Sequence, residues 1–244
     1  MTVHHHGLPI TPNRVLMSLA GKHFCVSHAR PEQVEAAHKI GQSVMLDNGA
    51  YSFWKKGRET DWPAYYAWCD RWLDYPTTWA VIPDVIDAGI QLQEALVKEW
   101  PFGHRGAPVW HLDEDVSRLL DLCDRFPRVC LGSTAEYRVV LSDPWCRRID
   151  EAFEALTARH RRLPWLHMLR GMQLAGKRWP FASLDSTDVA QNHNRGHRNG
   201  GDLIGEAEGQ HAPETHAQRM AAAWDAKQCG AVWTPIPAQL ELVA

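Results

Sequence analysis

Short apolar runs recur along the chain, and most are followed by a stretch whose apolar positions have helical spacing. Runs at 15–19 (VLMSL), 43–47, 79–84, 108–111, 128–133, 164–169 and 181–185 read as strands. Residues 31–41 read as a helix, with Pro31 at its start and Gly41 at its end. Further helical patterns cover 63–73, 88–100, 116–125, 144–161 and 214–227. Residues 190–215, rich in Asn, Gly, His and Gln, read as a long loop, and 230–234 is the remaining candidate for an eighth strand. Alternation of strand and helix predicts a parallel sheet with helical crossovers. Near-continuous apolar strands predict burial on both faces. The expectation is one α/β domain over 1–244 with a modified (β/α)8 TIM-like barrel, preferred over an open sheet.

Composition changes this picture little. The 244 residues are 45% hydrophobic and 23% charged, as in ordinary globular chains, and the formal net charge is −3. Nucleic-acid contact would then need local basic patches. Candidates are Arg159 to Arg162, Lys177 with Arg178, and Arg195 to Arg198, each equally readable as a solvated face. The six cysteines form no C-x-x-C pair, which fits a reducing compartment and indicates no zinc ribbon. No apolar run reaches membrane-spanning length, so no membrane partner is expected. His4 to His6 read as a frayed terminus, and Trp62, Trp68 and Trp72 as core residues of one helix.

Strand after strand ends in a polar or small residue: Asp47, Asp84, His111, Gly132 with Ser133, His167 with Met168, and Asp185. In a barrel these ends meet on one rim, where active sites form. One such Asp could simply cap the next helix. Three suggest carboxylates that share a pocket, one as a nucleophile at a sugar C1′ and one shuttling a proton. Tyr51, Phe53, Trp54 and Met168 are candidate walls for a flat base, with core packing the alternative for Phe53 and Trp54. His193 and His197 stand four apart and are weak candidates for a metal; His111 with Asp113 and Glu114 is another. No phosphate-loop pattern surrounds Gly200 and Gly201.

The motifs Leu46-Asp47-Asn48-Gly49-Ala50-Tyr51-Ser52, Ile82-Pro83-Asp84, Leu131-Gly132-Ser133, His167-Met168-Leu169-Arg170-Gly171 and Ser183-Leu184-Asp185-Ser186, in that order, resemble the tRNA-guanine transglycosylase superfamily. The nearest likeness within it is to the phage enzymes that place 7-deazaguanines in DNA. The resemblance implies a modified (β/α)8 barrel, base exchange, and DNA (or tRNA) and a free 7-deazaguanine such as preQ0 as partners, in the cytoplasm of a phage-infected bacterium. It implies Asp185 as the nucleophile and Asp47 as the residue managing the base's protons. Asn48 and Tyr51 would follow Asp47 in the base-binding motif. Asp84 would bind the purine edge, Gly132 and Ser133 would offer backbone N–H groups, and Met168 would form part of the pocket wall. His111 stands where the tRNA enzymes carry Gln. The C-x-C-x-x-C and His that hold structural zinc in those enzymes are missing, with only Cys229 in that region, so either the chain has no cofactor or a different set that includes His193 and His197 holds a structural zinc. The shorter chain and the missing cysteines both favour the DNA-modifying branch. Rival readings are an N-glycoside hydrolase, a metal-dependent barrel hydrolase, and a non-catalytic barrel that binds nucleic acid or protein.

Overall fold

The computed structural model describes residues 1–194 and 212–235. Its strands are β1 (Val3–Gly7), β2 (His23–Ser27), β3 (Ser43–Asp47), β4 (Thr78–Val81), β5 (Gly106–Ala107), β6 (Val109–His111), β7 (Arg128–Gly132), β8 (Trp165–Met168) and β9 (Ser183–Ser186). Its α-helices are α1 (Asn13–Met17), α2 (Val34–Ile40), α3 (Ala50–Trp54), α4 (Trp62–Trp72), α5 (Ile90–Glu99), α6 (Val116–Arg125), α7 (Asp143–Arg159), α8 (Asp188–Asn192) and α9 (Pro213–Asp225). All strand pairs are parallel, in the order β5-β4-β3-β2-β1-β9-β8-β7-β6.

The two ends of that order, β5 and β6, are separated by Pro108 alone. Pro108 has no N–H to give the ladder, so the chain passes from pairing with β4 to pairing with β7 at that point. The Pro108 carbonyl still accepts from Cys130 N at 2.8 Å. The two short strands therefore act as one stave. The sheet curls into a nearly closed α/β barrel with eight positions, the TIM-like architecture the strand pattern predicts.

Three elements differ from the sequence reading. His4 to His6 are not a frayed end: they form the middle of β1, which lies between β2 and β9 and is buried. The run at 15–19 is not a strand. Its buried positions are Val15, Leu16 and Leu19, a helical spacing, and its first residues form α1. Residues 230–234 form no strand. Trp233 instead stacks on Phe153 with ring centroids 5.5 Å apart, under the Arg178 guanidinium. The barrel is thus completed at its N-terminus by β1 and β2.

Side-chain alternation divides the strands between two cores. Residues facing out, among them Phe24, Val26, Leu46, Leu131, Leu166 and Leu184, pack against the helices. Trp72 is buried there and Trp62 and Trp68 are partly so, which gives the α4 tryptophans the core role expected of them. The bore holds Cys25, Met45, Trp79, Val81, Ala107, Val109 and Cys130. His5, His167, Trp79 and Arg128 fill the rest of the bore, with His5 against Trp79 (5.7 Å) and His167 (5.6 Å) and Arg128 over Trp79 (4.6 Å). Among the described residues no helix is long and apolar enough to cross a membrane.

Candidate functional site

The C-terminal ends of the strands surround a cavity of about 990 Å³. Asp47 from the end of β3, Asp84 just after β4 and Asp185 from β9 all line it. So do Asn48, Tyr51, His111, Gly132 and Ser133. The volume lies at the upper end of the ~300–1,000 Å³ range of ligand pockets.

Met168 does not line the cavity. Strand alternation turns it outward into the helical core, where it is fully buried, and the wall position falls to Leu169. Phe53 and Trp54 are also outside the lining: Phe53 lies beneath Arg58, and Trp54 projects to solvent beside Tyr51. His193 is buried, with its ring nitrogens on the backbone carbonyls of Val189 (2.9 Å) and Thr11 (3.0 Å), which leaves no nitrogen for a metal. His197, Arg195 to Arg198, Gly200 and Gly201 lie outside the described residues. Among the described residues no group of three or more His, Cys, Asp or Glu side chains is arranged to hold a metal ion. Of the basic candidates, Arg159 pairs with Asp124 and Arg178 with Asp150, so both charges are neutralised away from the cavity.

Asp47 follows the last apolar residue of β3, and the chain then turns sharply. Gly49 takes φ +78°, where a side chain would be strained. Its N–H donates to Asp47 Oδ2 at 3.2 Å, while Asn48 Oδ1 accepts from Ala50 N and starts α3. Burial pushes the Asp47 carboxyl up to about 6; the Ser27 hydroxyl opposes this, and the charges of Asp185 and Asp84 add to it. A carboxyl that changes protonation near neutrality suits proton transfer.

Asp84 is gripped from two sides. Asn48 Nδ2 donates to Oδ1 at 2.7 Å and to the Ile82 carbonyl at 2.9 Å, and His111 Nε2 donates to Oδ2 at 3.0 Å. His111 Nδ1 lies 3.6 Å from Glu114, which in turn receives Arg118 at 2.6 Å. Burial alone would lower the His111 pKa, but the hydrogen bonds to Asp84 and Glu114 raise it to about 10. The imidazolium is therefore a fixed cation in an alternating chain of charges, Arg118, Glu114, His111 and Asp84, and is not available as a metal ligand.

Asp185 accepts from the Arg170 backbone N–H at 2.6 Å and from His167 at 3.2 Å. Arg170 adopts φ +54°. Its guanidinium sits 3.9 Å from the Tyr51 ring, so a cation and an aromatic face flank the cavity together. Arg30, Lys55, Lys56 and Arg170 line the same cavity, which sets positive charge beside the three carboxylates. Arg30, Lys55 and Lys56 carry no signal in the sequence, being ordinary surface-type cations, and Arg170 stands in the His167-to-Gly171 motif with no role assigned to it there. His167 as a partner of Asp185 was also missed; the only signal was its place at the tip of β8.

The chain matches no protein-family model, no curated protein and no solved structure.

Proposed function

We propose that the protein is a base-exchange transglycosylase that replaces guanine in DNA with a 7-deazaguanine of the preQ0 type. One observation carries the reading: Asp47, Asp84 and Asp185 share a single cavity flanked by Arg30, Lys55, Lys56 and Arg170. Cations at the cavity suit backbone phosphates, and the carboxylates suit chemistry on a base taken out of its stack. The Arg170 guanidinium, laid on the Tyr51 ring, offers a flat stacking surface for that base.

In this mechanism Asp185 attacks C1′ of the extruded guanine nucleotide. The C1′–N9 bond breaks, its electron pair stays on guanine, and Asp47 gives the departing base its proton. The incoming deazaguanine loses its N9 proton to Asp47, attacks C1′ and releases the Asp185 carboxylate. Two displacements retain configuration at C1′. Asp84, held by Asn48 and His111, accepts from the N–H edge of the purine, and Ser133 offers its backbone N–H to the carbonyl oxygen, the Gly132 N–H being engaged in the β6 ladder. The chemistry needs no metal cofactor.

The test is incubation with DNA or tRNA together with labelled guanine or preQ0. Incorporation into DNA is expected. Incorporation into tRNA alone would move the enzyme to the RNA-modifying branch, and guanine release without an incoming base would make it a hydrolase. Asp185→Asn should abolish covalent trapping while binding of the free base persists. A wild-type protein that binds DNA with neither trapping nor exchange would reduce it to a binding barrel.

A further inference from the structure

The two donors that reach Asp185, Arg170 N and His167 Nε2, both fall on Oδ1. Oδ2 receives no hydrogen bond among the described residues. The other ring nitrogen of His167, Nδ1, lies 2.8 Å from Ser183 Oγ. Ser183 is fully buried and its Oγ also receives Trp165 Nε1 at 2.7 Å. An indole N–H can only donate, so Ser183 Oγ is the acceptor in that bond. The serine hydroxyl has one hydrogen of its own, and His167 Nδ1 is its only acceptor among the described residues. A proton on Nδ1 would strand that hydrogen in a buried site, which buried hydroxyls avoid. Nδ1 must therefore accept, and Nε2 must carry the proton that goes to Asp185. Trp79, at 5.3 Å, and His5, at 5.6 Å, pack edge-on to the ring and hold its plane.

We infer that His167 is a positioning residue. A one-way relay from Trp165 through Ser183 fixes its tautomer, so that it anchors Asp185 Oδ1 and leaves Oδ2 as the oxygen that attacks the sugar. This rests on the nucleophile reading of Asp185, but the relay itself does not. Each link points the same way, from a group that can only donate to a carboxylate that accepts. Anchoring one carboxylate oxygen removes the rotation that would otherwise exchange the two, which is how a supporting shell raises the fraction of nucleophile in attacking geometry.

The tautomer is read first, by long-range proton–nitrogen NMR on 15N-labelled protein, with the His167 signals identified by their loss in His167→Gln. A neutral ring protonated at Nε2 is expected, giving way to a tautomer mixture in Ser183→Ala. A ring protonated at Nδ1 or at both nitrogens at neutral pH would overturn the relay whatever the protein catalyses. Steady-state base exchange is read second, beside covalent trapping of the wild type. His167→Leu should lower kcat about 10- to 100-fold with KM unchanged, the usual range for loss of a supporting hydrogen bond. His167→Gln, whose amide nitrogen stands near the Nε2 position, should recover most of the rate. Equal loss in both variants, or a loss expressed in KM, would refute the positioning role. If the wild type itself traps nothing, the Asp185 reading fails while the NMR result still decides the relay.

Discussion

Raising the pH from 6.5 to 8.5 should remove a measurable part of what His111 contributes to the fold. An unfolded histidine titrates near 6.5, whereas in the fold the ring is desolvated yet held between Asp84 and Glu114, which carry it to about 10. A base whose folded pKa exceeds its unfolded value contributes stability that is complete below the unfolded value and is lost as pH rises toward the folded one. A full pH unit in that window removes about 1.4 kcal/mol, so the two units, which begin at the unfolded midpoint, remove roughly 2 kcal/mol. Other groups titrate in the same window, so the effect is read as a difference from a variant at each pH. Burial lowers the pKa of His4, His5, His23, His28 and His38, so stability still rises with pH until their unfolded rings have lost the proton, about a unit above 6.5. Burial raises the thiols of Cys25, Cys69, Cys123 and Cys130, which begin to weaken the fold as the unfolded thiols ionise near the top of the window. Urea unfolding followed by tryptophan fluorescence at several pH values, for wild type and His111→Gln, measures the effect. The variant should start weaker, by about 3 kcal/mol, because Asp84 loses its buried partner. The gap between wild type and variant should then narrow by roughly 2 kcal/mol between pH 6.5 and 8.5. A gap that stays constant with pH would refute the charge chain.

Asp47→Asn should be inactive in base exchange yet more stable than wild type above pH 6. A carboxyl raised from 3.8 to about 6 costs the fold stability as pH climbs from 3.8 to 6, a cost complete above that, so removing it gains roughly 1–3 kcal/mol; unfolding midpoints at pH 5 and pH 8 check the sign. Lys55→Ala with Lys56→Ala should weaken DNA binding about equally for all sequences and flatten the log K against log salt plot by about one to two ions, read by anisotropy at several ionic strengths. Gly106→Ala should lower the melting temperature, because its Cβ would collide with the Trp100 indole and with Ile82; overpacking costs about 1–3 kcal/mol.

The barrel was legible from residue 43 onward, because buried parallel strands leave continuous apolar runs that polar tips punctuate. The first two strands escaped. In β1 the sequence is Val-His-His-His-Gly. His4 and His6 face the outer layer, with Asp225 of α9 at 3.7 and 3.6 Å, and His5 faces the bore, so three polar residues are buried on opposite faces. No hydropathy pattern distinguishes that from a loose terminus. The run at 15–19 misled for the opposite reason: it is apolar, but its buried positions follow a helical period. At the site, Asp47, Asp84 and Asp185 could be found by position alone, since strand tips in a barrel converge. Met168 could not be placed, because a one-residue shift in strand register reverses the face, and Leu169 holds the wall in its stead. The contacts of His111 with Asp84 and of His167 with Asp185 join neighbouring staves, a relation the linear order does not carry.

The place of β1 also governs how the protein is made. Its register runs Val3 to Ser183 and His6 to Ser186 on one side and His5 to His23 on the other. β1 therefore waits for β9, some 180 positions later, before the ring can close. Until then a nascent chain carries open strand edges at both ends of its growing sheet, the condition that slows folding and invites association between chains. Deleting β1 would remove an inner stave and, with it, the neighbouring Thr2 amide that donates to Gln228.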